Sequence, residues 1–226
     1  MANKYVLKFT KDGYAKYTSH LDLLRFFKRA FRKSGIALSY SQGFNPHPKL
    51  GFAQPLSLGY SSACELLEFT TNVPYETEKI HEMLKDMMPE GLTILWCKEL
   101  SDDIKSLASI ADYAVYDVVI PYEISSEKLA ELKDGYLAQD EILAMKRQKK
   151  DKKLVSVNIK HMIRNFEANP CEEGIKLELL LDCGSISNCS PELVIASFCD
   201  FAKIDVPRYA MEVERKVLGF SNNLHF

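Results

Sequence analysis

Twice along this chain the hydrophobic period switches in the same order, and that order restricts the fold more than any single motif does. A period of 2 marks a half-buried strand, and a period near 3.6 marks an amphipathic helix. Residues 4–10 (KYVLKFT) alternate as a strand, followed by a Lys-Asp-Gly turn signal and a short return, YAKY. Ser19-His20-Leu21-Asp22 has capping-box spacing with Ser19 at the N-cap. It predicts a helix to about Ser34, stopped by Gly35. Next come Ile36–Tyr40, a Pro/Gly-punctuated loop, Gln54–Tyr60 and a strand over Cys64–Thr71. A helix over Glu76–Met88 turns Ile80, Met83, Leu84 and Met87 inward, and Leu92–Lys98 is a strand. Residues 4–98 thus read β-α-β-β-α-β.

After a polar stretch at 100–112 the order restarts. Tyr113–Pro121 is a strand and Ser126 to about Gly135 a helix. Ile142–Gln148 runs into a basic tip, from which Leu154–Ile159 pairs back, and His161–Glu167 reads as a helical turn. Ile175–Cys183 is a strand, and a helix with Pro191 in its first turn follows Ser190. Tyr209–Leu218 is the last strand. With one extra strand, this repeats the first order. The expected fold is α+β, with tandem ferredoxin-like (βαββαβ) halves on antiparallel sheets. Residues 1–99 form the first half, 100–112 a connector and 113–226 the second half. One continuous α+β domain is the alternative. No residue-level similarity links the halves.

Composition narrows the function. Hydrophobic residues are 46% and charged residues 27% of the 226, enough for a real core. No apolar run approaches the roughly 18 residues of a bilayer span, and no secretory signal opens the chain, so a cytoplasmic location without membrane contact is expected. The six cysteines are dispersed, without a C-x-x-C pair, and reduced thiols are expected. No P-loop, dinucleotide fingerprint, zinc pattern or nucleophile elbow is present, so neither cofactor nor metal is expected.

The net charge of −2 hides a split. Residues 1–60 hold ten lysines and arginines against two aspartates, leaving 19 basic and 29 acidic residues for the rest. Such a split points to a localised anion-binding face, unless the fold intermixes the charges. Its centre is the helix from Ser19. Leu23, Leu24, Phe27, Ala30 and Phe31 share one face, and Arg25, Lys28, Arg29 and Arg32 share the other. A stripe of guanidinium forks suits successive phosphates. It also suits a solvated face paired to acids elsewhere.

A few residues later comes Tyr40-Ser41-Gln42-Gly43-Phe44-Asn45-Pro46-His47-Pro48-Lys49. Each proline keeps the residue before it out of the helical region, so N-P-H-P is a stiff, extended segment. It presents Asn45 and His47 as polar readers and Phe44 as a stacking platform, with Tyr40 and Tyr60 as possible flanks. Exposed aromatics and amides beside arginines are what single-stranded RNA recognition uses. A structural connection with Phe44 buried is the alternative. An imidazole at His20 or His47 could act as general base toward a ribose 2′-OH. A His20/His47/Asp22 metal site matches no strong pattern. The simplest role for His20 is a hydrogen bond tethering the loop to the helix. The tip KRQKKDKK, 146–153, adds a second, weaker phosphate-binding signal.

Over Tyr17–Gly59, the runs Y-T-S-H-L-D-L-L-R, R-A-F-R, Y-S-Q-G-F-N-P-H-P and P-L-S-L-G resemble the uncharacterised bacterial "radical SAM-linked" family. The matching residues are Ser19, His20, Asp22, Arg25, Arg29 and Ser41 to Pro48. In that family the domain stands alone or is fused behind a radical S-adenosylmethionine enzyme. This chain lacks that enzyme's C-x-x-x-C-x-x-C cluster, so the resemblance implies the stand-alone accessory form and a radical SAM partner. The layout also resembles, at fold level, CRISPR repeat-processing endoribonucleases, but the C-terminal glycine-rich loop is missing. The expected function is a non-catalytic RNA-binding accessory module for tRNA or rRNA. The alternatives are a protein-only adaptor of a radical SAM enzyme, or a metal-independent endoribonuclease using His20 or His47.

Overall fold

A computed structural model describes residues 3–101, 103–148, 153–221 and 226. The chain divides into two compact units, Met1–Ala111 with Leu218–Phe226, and Asp112–Val217. Within both, the architecture is mixed α+β with antiparallel strand pairs.

In the first unit, β1 (Asn3–Lys11), α1 (His20–Ser34), β2 (Leu50–Phe52), β3 (Ser61–Thr71), α2 (Thr77–Lys85) and β4 (Leu92–Leu100) follow in sequence. The strands lie in the order β4-β1-β3-β2, each neighbouring pair antiparallel. Alternation sends Tyr5, Leu7 and Phe9 of β1 inward with Leu67 and Phe69 of β3. α1 covers them. Phe27 lies 5.0 Å from Phe9 and Phe31 lies 4.7 Å from Phe69, measured between ring centroids. α2 adds the fully buried Ile80 and Leu84 with Met83 half-buried, and Met87, just past its end, packs half-buried on the same core.

Both ends of α1 follow the local code. Ser19 Oγ accepts the Asp22 N–H at 3.2 Å. Gly35 closes the helix at φ 78°, a left-handed cap that glycine adopts without steric cost. Leu23, Phe27, Ala30 and Phe31 are buried and Leu24 is half-buried, as the apolar stripe predicts.

The strand at Leu50–Phe52 falls inside what the sequence suggests is loop. Gly51 and the two prolines mask its signal, but β3 supplies a partner, with Gly51 opposite Glu68. The polar stretch after β4 contains one short helix, α3 (Leu107–Ile110), whose first N–H is bound by Glu68 Oε2 at 2.7 Å.

The second unit holds β5 (Ala111–Ile120) from Asp112 on, α4 (Ser126–Ala138), β6 (Leu143–Arg147), β7 (Leu154–Asn158), β8 (Ile163–Cys171), β9 (Gly174–Asp182), α5 (Pro191–Ala202) and β10 (Glu212–Phe220) as far as Val217. The order is β10-β5-β9-β8, and β6 and β7 form a separate hairpin. Residues 161–167, read above as a helical turn, are instead a single 3-10 turn at Lys160–Met162 running into β8. β8 tolerates Pro170 because it ends the strand order, and an edge strand leaves one row of N–H groups unpaired. Among the described residues no helix is long and apolar enough to cross a membrane. None of the six cysteines forms a disulfide. Burial pushes the Cys97 and Cys189 thiols up to about 12 and Cys199 to about 11, so none of these three is an activated nucleophile.

Candidate nucleic-acid interface

On the cationic face of α1, Arg25, Arg29 and Arg32 are exposed and Lys28 is half-buried, and the four differ in what they meet. The Ser19 hydroxyl donates to Asp22 Oδ2 at 2.8 Å, and Asp22 Oδ1 takes Arg25 Nη1 at 2.9 Å. The Ser19 hydrogen bond, and then Arg25, hold the Asp22 carboxyl below its usual range. Asp22 is thereby committed to the cap, and Arg25 to Asp22. The row of cations therefore begins effectively at Lys28 rather than at Arg25. Lys28, Arg29 and Arg32 make no ion pair among the described residues, and neither does Lys49. Residues 28 and 32 are one helical turn apart, and 29 lies beside them.

The proline-bracketed segment is a hairpin. Lys49 donates its N–H to the Ser39 carbonyl at 2.8 Å and Ser41 donates to the His47 carbonyl at 2.9 Å, with Tyr40 paired opposite Pro48. The hairpin is fixed to β3. Ser39 donates to the Thr70 carbonyl at 2.8 Å, and Thr70 donates to the Lys49 carbonyl at 3.0 Å. Ser41 Oγ closes the tip, accepting the His47 N–H at 3.1 Å and meeting His47 Nδ1 at 2.9 Å. Nδ1 also lies 3.4 Å from the Asn45 carbonyl, so the ring is held on this side by Ser41 and Asn45 together.

Gln42, Gly43, Phe44, Asn45 and Pro46 form the exposed tip. Gly43 turns it at φ 121°, a conformation that a side chain would strain. Phe44 is fully exposed, which disposes of the buried-connector reading.

Tyr40 is 54% exposed, whereas Tyr60 is only 2% exposed and belongs to the core rather than the flank. Lys28 and Arg32 of α1 face Tyr40 and Pro48 of the hairpin across a groove of about 390 Å³, floored by Gly35–Leu38. The floor was not legible as part of a site. It is tied to the core through Tyr75, whose hydroxyl accepts the Ala37 N–H at 3.0 Å. Tyr75 in turn exchanges two hydrogen bonds with the buried Tyr5 hydroxyl.

His20 is not the tether expected of it. It is half-buried, its ring meets Phe52 edge-on at 5.2 Å, and it makes no hydrogen bond among the described residues. No contact joins it to His47. Among the described residues no group of three or more His, Cys, Asp or Glu could hold a metal ion. Of the basic tip, Lys146 and Arg147 end β6 and Lys153 precedes β7, while 149–152 lie outside the described residues.

The comparisons with known proteins come to three results. No curated protein matches the chain. Among solved structures, a chain of the "Crystal Structure of a Cbf5-Nop10-Gar1 Complex" aligns at 10% identity with a TM-score of 0.49. That alignment covers 95% of this chain and 49% of the other, so this chain spans about half the other's length. The family described as "Uncharacterized protein conserved in bacteria (DUF2344)" matches residues 4–191, and the chain belongs to that family.

Proposed function

We propose that the chain is a non-catalytic, cytoplasmic RNA-binding accessory module. In this reading it holds tRNA or rRNA on α1 and the 39–49 hairpin, and presents it to a radical SAM enzyme. The radical SAM link rests on the resemblance over Tyr17–Gly59. The tandem ferredoxin-like reading is supported by the strand orders, β4-β1-β3-β2 in one unit and β10-β5-β9-β8 in the other.

The observation that carries the RNA reading is Phe44, fully exposed at the tip of a braced hairpin, close in sequence to Lys28, Arg32 and Lys49, which make no ion pair among the described residues. Leaving a phenylalanine in water forgoes about 1.5–3 kcal/mol of burial. A stacked base recovers that, and sequence-tolerant stacking beside a phosphate-binding row is how single strands are held. Ordering costs are low because the hairpin is already tied to β3. Strand cleavage needs a base at the 2′-OH and an acid at the leaving oxygen. His20, packed on Phe52, and His47, engaged by Ser41, do not form such a pair.

The test is an electrophoretic shift with bulk tRNA and with rRNA. Wild type is expected to bind, and Phe44→Ala to bind about 5- to 150-fold more weakly, the loss of one stacked base. Phe44 touches nothing in the core, so the variant stays folded. Equal binding by the two proteins would remove the hairpin from the interface. Absence of binding by wild type would reject the RNA reading in favour of a protein adaptor.

A further inference from the structure

We infer that the groove between α1 and the hairpin is a seat for a single unpaired nucleotide, its base against Tyr40 and its phosphate on Lys28 and Arg32. This deepens the RNA-binding reading and rests on it. At about 390 Å³ the groove falls within the roughly 300–1,000 Å³ of small-molecule sites.

Its walls divide by chemistry. One wall is α1, where Lys28 and Arg32, one turn apart, make no ion pair among the described residues. Two unpaired cations at that spacing call for an anion, and a phosphate accepts from both. The other wall is Tyr40 with Pro48. They are the middle pair of the hairpin, flanked by the Lys49–Ser39 and Ser41–His47 hydrogen bonds. A pair that does not exchange hydrogen bonds holds its side chains closest, on one face. That face is flat and apolar, which suits an aromatic base.

The same geometry sets the polar readers. In an antiparallel ladder, the residue between two bonded positions turns its own N–H and C=O away from its partner strand. Tyr40 is that residue, and neither group has a partner among the described residues. One open donor and one open acceptor stand beside the stacking face, which is the complement needed by a base edge freed from pairing. A paired base offers neither its edge nor its face, so the groove selects single strands or loops.

The floor is preorganised. Ala37 donates to the Tyr75 hydroxyl and accepts from Asn72 at 3.0 Å, and Ser39 Oγ donates to Asn72 Oδ1 at 2.8 Å. Little has to move when a ligand enters.

The same groove chemistry would serve a free nucleotide or a nucleotide within RNA, so the experiment carries both. Fluorescence anisotropy is measured with a labelled single-stranded RNA of about ten nucleotides, within the site sizes of single-strand binders. A blunt RNA duplex of the same sequence and free adenosine and uridine 5′-monophosphates complete the set. Tyr40→Ala is expected to weaken single-strand binding about 5- to 150-fold. Tyr40→Phe keeps the ring and is expected to restore it. Duplex binding is expected to be weaker and indifferent to Tyr40.

If Tyr40→Ala leaves single-strand binding unchanged while Phe44→Ala weakens it, the groove inference falls and the RNA reading stands. If wild type binds no RNA but binds a free monophosphate in a Tyr40-dependent way, the groove stands and the RNA reading falls. Binding of neither RNA nor monophosphate overturns both.

Discussion

Reversing charge at Arg29 and Arg32 together is expected to lower RNA affinity at least about 100-fold at moderate salt. Hydrogen bonds to charged partners are worth about 1.5–3 kcal/mol each, and reversal adds repulsion to the loss. The effect is large because neither guanidinium makes an ion pair among the described residues, Arg29 acting on the Asp22 carboxylate only through space. Arg25 is different. Its guanidinium is held by Asp22 at 2.9 Å, so Arg25→Ala removes a cap interaction and is expected to change RNA binding far less. Arg29 and Arg32 are both exposed and lie on the face away from Phe27 and Phe31, so the double reversal leaves the fold intact. The salt dependence of RNA binding is expected to become shallower by about 1.4 in log–log slope, two contacts at roughly 0.7 each for single strands. Circular dichroism showing native helix content, with unchanged RNA affinity, would remove α1 from the interface.

Phe27→Ala is expected to destabilise the first unit by about 3–5 kcal/mol, the range for emptying a buried aromatic site. Phe27 is completely buried, and its ring lies 5.0 Å from Phe9 and 6.0 Å from Phe52. Phe52 also packs against His20 and ends β2, the strand just after the hairpin. The cavity thus sits under α1 and against β2, into which the hairpin runs, and the variant is expected to lose RNA binding together with stability. At about 2–4 °C per kcal/mol for a chain of this size, the first unit's thermal midpoint falls by roughly 6–20 °C. A midpoint within a degree or two of wild type would mean that α1 is not anchored through this ring.

What was legible in the sequence is what local chemistry decides. The Ser19 cap, the Gly35 stop and the apolar stripe of α1 depend on residues within a few positions of each other. The cationic face follows from spacing alone. Arg25 shares that spacing, but which guanidinium meets Asp22 is a matter of side-chain conformation that no periodicity encodes. β2 was hidden because its evidence lies in β3, and β8 because Pro170 argues against a strand until its edge position is known. The floor of the groove escaped for the same reason. Gly35–Leu38 becomes part of a site only through Tyr75 and Asn72, more than thirty residues away in the chain. His20 was given a polar role because histidine usually seeks hydrogen bonds, but the neighbouring Phe52 offered only an aromatic edge contact. For Phe44 the sequence left a presented platform and a buried connector both open, because local residues set the stiffness of the loop but not what packs on its tip; it is exposed.

RNA binding is expected to depend most on Lys28, Arg29, Arg32 and Lys49 acting together on phosphates, and wild-type binding of single-stranded RNA across a salt series tests that most directly. Four contacts predict a log–log slope of about −3 or steeper. A slope near zero would contradict it.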